Sequence, residues 1–212
     1  MTDTLRRIVN TGGLAVLLGG TPLSLSAQKP LPPAEPLLTA ALAGMSVLVV
    51  PASMVLNESG VTDSLFPDSR PLLLRWTDSL LAEAISERAP EVNWVMPPEL
   101  RRIARRAPGI APDPDQMGQA IMRQRSLKTV PDPLRSYLRN LMAIAGGGRH
   151  AFIPAALVFT DAPDGTEVQA HLSAALVDGR SGQVLWRTES VASGATPATA
   201  LKSAIAAIFP IF

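Results

Sequence analysis

Apolar positions along the chain recur with two different periods, and the changes between them predict the order of elements. Residues 46–50 form a continuous apolar run stopped by Pro51, the pattern of a central strand buried on both faces. Residues 51–70 are rich in turn formers (Asn57, Ser59, Gly60, Pro67, Asp68) and read as a loop. From 71 to 88 the period becomes helical: Leu72, Leu73, Trp76, Leu80, Leu81, Ala84 and Ile85 fall on one stripe. Pro71 suits the first turn of that helix. A short strand is predicted at 92–96, stopped by Pro97-Pro98, and a short basic helix at 99–106. A Pro/Gly-rich loop at 107–114 leads to a helical segment at 115–125. A further helix at 133–145 ends at Gly146-Gly147-Gly148.

The last third of the chain returns to strand periodicity. Residues 151–159 are apolar but carry Pro154, which implies a sheet edge or a bulge. Residues 167–177 place Val168, Ala170, Leu172, Ala174 and Leu176 on one face. The turn Asp178-Gly179-Arg180-Ser181-Gly182 then leads to a hairpin partner at 183–190. An amphipathic helix at 197–208 closes the chain before Pro210. Early strands alternate with helices and late strands form a meander, so the fold class is α/β, a mixed sheet with helices packed on it. Trp76, Trp94 and Trp186 are expected mostly in the core.

The N-terminus has the layout of an export signal over residues 1–27: Arg6-Arg7, an apolar stretch too short to span a bilayer comfortably, and a small residue at Ala27. Residues 28–43 read as a proline-rich leader, and 44–212 as a single domain. The chain has no cysteine, which rules out disulfides, thiolate metal sites and a lipobox. The expected location is therefore periplasmic or secreted.

Net charge is only +1 at pH 7, but it is unevenly spread. Residues 88–149 carry eleven basic and five acidic side chains, whereas 29–87 and 150–212 are both net acidic. The basic helix concentrates this charge in Arg101, Arg102, Arg105 and Arg106. These four are the candidate partner-binding residues, for an envelope protein or an anionic membrane or cell-wall surface. The bland reading is a solvated helix face. Nucleic acid is not expected, because the chain offers one tyrosine and few aromatics for base stacking.

No catalytic, cofactor or metal site emerges. His150 and His171 are expected to be ordinary exposed histidines without ligand spacing. Asp113-Pro114-Asp115-Gln116-Met117-Gly118 resembles the start of a calcium loop, but the prolines and the missing distal acid spoil it. Thr199-Ala200-Leu201-Lys202 has the spelling of a penicillin-binding motif without its companion elements. Gly146–Arg149 follows a helix, the reverse of a phosphate-binding loop, and reads as a helix stop.

The hairpin Leu176-Val177-Asp178-Gly179-Arg180-Ser181-Gly182-Gln183-Val184-Leu185-Trp186 resembles one found in bacterial envelope proteins. These are the TolB N-terminal-domain-like proteins and the periplasmic lipoproteins related to CsgG and LpoB. The resemblance extends in order over most of residues 44–210. It implies a fold like the TolB N-terminal domain, itself similar to anticodon-binding domains. It also implies a non-catalytic role in envelope or cell-wall assembly through protein contacts. The chain departs from the family in lacking a lipobox cysteine, in a longer proline- and arginine-rich 97–132 region, and in lacking pore hairpins of the CsgG kind. The alternative is an exported small-ligand binder or hydrolase with a site between the basic helix and the sheet.

Overall fold

A computed structural model describes residues 33–58, 66–163 and 165–210. The elements follow in the order β1 (Ser46–Val49), β2 (Val55–Asn57), α1 (Arg70–Arg88), β3 (Asn93–Val95), α2 (Pro97–Arg106), α3 (Leu134–Ile144), β4 (His150–Asp161), β5 (Val168–Asp178), β6 (Val184–Gly194) and α4 (Pro197–Ile208). The expected signal peptide, the start of the leader and the last two residues lie outside the described residues.

The six strands form one mixed sheet ordered β3-β1-β4-β5-β6, with β2 also paired to β4. β1 runs parallel to β3 and β4, whereas β4, β5 and β6 form an antiparallel meander. The α/β mixed sheet expected from the sequence is the observed architecture.

Strand alternation divides the core into two clusters. Val47, Val49, Phe152, Phe159 and Val168, Ala170, Leu172, Ala174 and Leu176 of β5 face α1 and α4. Leu48, Val50, Ala151, Ile153, Ala175 and Val177 face α2, α3 and the intervening loop. The sheet is thus sandwiched between two helical layers, and β1 is buried on both sides as its apolar run predicts. Each tryptophan is partly buried and packs against the first cluster; the Trp94 indole also donates to the Ala89 carbonyl at 2.8 Å.

Four details depart from the sequence reading. Leu37 and Leu42, in the expected leader, are buried in the first cluster, and the Leu37 amide donates to the Ile208 carbonyl at 2.9 Å. The expected loop at 51–70 contains β2, a strand too short to show a period. Pro97-Pro98 open α2 rather than merely ending β3, since the first turn needs no amide donors there. The expected helix at 115–125 is two 3₁₀ turns, Pro114–Gln116 and Gln119–Arg123, separated by Gly118 at φ 71°.

Pro154 lies in an interior strand rather than at an edge, and a register shift at Pro154/Ala156 accommodates it. β1 pairs with β4 only as far as Phe152 and β2 begins opposite Leu157, so the proline faces the gap between two partners. There its missing N–H costs no ladder bond.

Candidate functional site

α2 is a short helix with a clear division of labour. Pro97, Leu100 and Ala104 are buried at spacings of three and four, Leu100 and Ala104 within the second cluster. Glu99 lies in the first turn and Arg105 and Arg106 in the last, the arrangement that the helix dipole favours.

The four expected partner-binding arginines separate into three environments. Arg101 is 17% exposed and belongs to the fold. Its Nη2 donates to Asp78 Oδ2 at 2.5 Å, and its Nε donates to Asp115 Oδ2 at 2.9 Å. Asp78 is 1% exposed and also accepts the Ala52 amide at 2.8 Å. Burial holds the Asp78 carboxyl above the usual carboxylate range, although the Ala52 amide and Arg101 pull against it. The bonds that Arg101 donates to Asp115 and Asp78 raise its guanidinium above the ordinary arginine value, against the effect of its own burial. Arg101 is therefore unavailable to a partner without breaking this cluster.

Arg102 is exposed and donates to Glu99, three residues earlier, with Nε–Oε2 at 2.7 Å. That bond holds Glu99 below its ordinary value. Arg105 and Arg106 are exposed and form no ion-pair contact among the described residues. Beyond them the chain makes a tight turn, with the Ile110 and Ala111 amides donating to the Ala107 carbonyl at 3.2 and 3.1 Å. Gly109 at φ 84° allows the reversal, and Ile110 stands 64% exposed at its tip.

Two open clefts flank this turn. One, of about 350 Å³, is lined by Arg101, Arg105, Asp113 and Asp115 among others. The other, of about 390 Å³, includes Gly109, Ile110, Tyr137 and Asn140. The calcium-like segment serves the fold: Asp113 caps the first 3₁₀ turn by accepting the Asp115 amide at 3.0 Å, and Asp115 holds Arg101. Among the described residues no cluster of three or more His, Asp or Glu could hold a metal ion.

The hairpin turn is built around Asp178, which is 3% exposed. One carboxylate oxygen accepts the Arg180 and Ser181 amides at 2.9 and 3.1 Å; the other accepts Arg149 Nε at 2.7 Å. Burial alone pushes this carboxyl up, but Arg149 and the two amides outweigh it and hold it below the ordinary range. The motif that stands out in the sequence thus closes a turn and fastens it to the start of β4. Gly146 and Gly147, at φ 95° and 84°, supply the helix stop, and the Gly147 amide donates to the Met142 carbonyl at 2.9 Å.

His150 and His171 are half-buried rather than exposed, and burial lowers both imidazoles below their ordinary value. His171 Nε2 lies 3.1 Å from Thr160 Oγ1. Thr199 completes the capping box of α4 with Thr196, and Lys202 pairs with Glu83 at 2.7 Å.

No family model matches the chain, and no curated protein matches it. Solved structures do. The LpoB C-terminal domain from Salmonella enterica is similar at 13% identity and TM-score 0.38, over 70% of this chain and 82% of that one. The lipoprotein GNA1162 from Neisseria meningitidis is similar at 22% identity and TM-score 0.33, over 71% and 81%. The PelC dodecamer from Paraburkholderia phytofirmans is similar at 11% identity and TM-score 0.37, over 80% and 90%. LpoB-related envelope proteins are thus among the structures this chain is similar to. None of these three is a TolB domain, so that part of the resemblance stays an expectation. The functional reading rests on the residues described above and not on these likenesses.

Proposed function

We propose that the protein is a non-catalytic, exported envelope protein that works as an interaction or assembly module, with the exposed face of α2 as its contact surface. The observation that carries this reading is the division among the arginines. Arg101 is consumed by the fold and Arg102 by Glu99, whereas Arg105 and Arg106 are exposed without ion-pair partners among the described residues, just before the turn that carries the exposed Ile110. An exposed cation pair followed by an apolar tip suits an acidic partner surface. Envelope or cell-wall assembly proteins are the expected partners.

The test is in-cell crosslinking of the native protein against an Arg102→Glu/Arg105→Glu/Arg106→Glu variant, followed by mass spectrometry. Reproducible recovery of envelope proteins with the native chain and their loss with the variant supports the reading. A folded variant that keeps the same partners overturns the surface assignment.

A second reading, a small-ligand binder or hydrolase, is favoured by one feature. The cleft beside α2 brings Arg101, Arg105, Asp113 and Asp115 around a single open volume of about 350 Å³. A ligand screen in which nothing protects these residues removes it.

A further inference from the structure

We infer that the corner formed by the last turn of α2 and the 107–111 turn is a docking surface for an anionic phospholipid bilayer, with Arg105 and Arg106 on the headgroups and Ile110 as an apolar wedge. The inference deepens the proposed contact surface and rests on α2 being that surface; it does not require the protein to be an assembly module.

Charge complementarity fits an anionic surface, and the exposed apolar tip beyond it adds the feature that a bilayer would take up. Arg105 and Arg106 are exposed cations, and Arg139 is exposed on α3 next to Asn140, whose side chain donates to the Ile110 carbonyl at 3.3 Å. The nearby acids are mostly engaged. Glu99 is bound by Arg102 and Asp115 by Arg101, while Asp113 is held by the Asp115 amide and Gln116 and keeps its negative charge beside the turn. Arg105, Arg106 and Arg139 against Asp113 leave the corner net basic, and the turn that directly follows Arg105 and Arg106 carries the 64% exposed Ile110.

The geometry also suits a shallow interfacial contact. Pro108 and Ala111 form a bridge across the turn, so Ile110 is presented by a braced loop. Tyr137 lines the same cleft as Ile110, an amphipathic ring of the kind favoured at headgroup level. Among the described residues no helix is long and apolar enough to cross a membrane, and the inferred contact is a peripheral one. Each arginine near an anionic surface strengthens partitioning by about fivefold, and salt screens it.

The test uses the full chain and vesicles of equal parts phosphatidylglycerol and phosphatidylcholine, with phosphatidylcholine alone as control. Every variant carries the same residues 1–32, so their contribution cancels between variants. Co-sedimentation should occur with the anionic vesicles and weaken in 0.5 M NaCl. Arg105→Gln/Arg106→Gln should lower the partition coefficient by about twenty-five-fold. Ile110→Trp should gain emission that brominated lipid quenches, which locates the turn tip in the bilayer. Both substitutions are at exposed sites, and an unchanged melting temperature confirms the fold. Equal binding by the double variant, or an Ile110→Trp emission untouched by brominated lipid, overturns the inference. If the crosslinks to envelope proteins depend on Arg105 and Arg106 while vesicle binding does not, the α2 surface stands and the bilayer as its partner is refuted.

Discussion

Arg101 of α2 donates to Asp78 of α1 across the end of β1, and those two helices lie on opposite faces of the sheet. The same carboxylate takes the Ala52 amide just beyond β1, so one buried charge pair joins both helical layers to the strand between them. Removing Arg101 leaves Asp78 buried without its cation. Arg101→Ala should therefore destabilise the fold by about 3 kcal/mol, measured as a lowered urea midpoint. Arg101→Lys should recover only part of this, because it cannot reach Asp78 and Asp115 with a planar fork. An unchanged midpoint for Arg101→Ala would show that the pair contributes nothing.

The two buried aspartates give opposite responses to acid. Asp178 has a lowered carboxyl, so its contribution is fully present above the ordinary aspartate value, about 3.9, and is lost as pH falls through its lower folded value. Asp78 has a raised carboxyl. Its linkage favours the fold as pH falls through that raised value, and levels off below about 3.9. Asp178→Asn should flatten the acid limb of a stability-against-pH curve, whereas Asp78→Asn should steepen the net loss. A curve for Asp178→Asn that parallels the native one below pH 4 contradicts the first statement.

The hairpin depends on Gly182, at φ 77°, where an added Cβ would come within 2.8 Å of Arg135 Cδ and 3.1 Å of the Val130 carbonyl oxygen. Gly182→Ala should cost about 1–3 kcal/mol from left-handed strain and crowding. Thermal melting checks it. A melting temperature within a degree of the native protein would mean that the turn relaxes freely.

Most of the fold was legible because its elements are long and periodic. The meander of β4 to β6 and α4 each carry a repeated pattern or a strong stop. The α1 stripe is fully buried only in its second half: Leu81, Ala84 and Ile85 are buried, whereas Leu72 is 50% exposed and Thr77 and Asp78 turn inward, Asp78 to meet Arg101. β2 was not legible, because three residues show no period. The 115–125 segment was misjudged because Pro114 and Gly118 confine each turn to a few residues. Pro154 signals an edge or a bulge, and the bulge is what forms; no local signal reveals that β1 ends and β2 begins on either side of it. The candidate site was only partly legible. Four arginines on one helix are visible in the sequence, but Asp78 lies 23 residues from Arg101, and nothing local distinguishes the buried arginine from the exposed ones.

The measurement that tests the central claim most directly is site-specific photocrosslinking in cells, with the probe at Arg106 and a control probe at Lys202 on the opposite helical layer. The account predicts abundant adducts with envelope components from position 106 and few from position 202. Adducts from 202 with none from 106 would contradict it, and would move the contact surface away from α2.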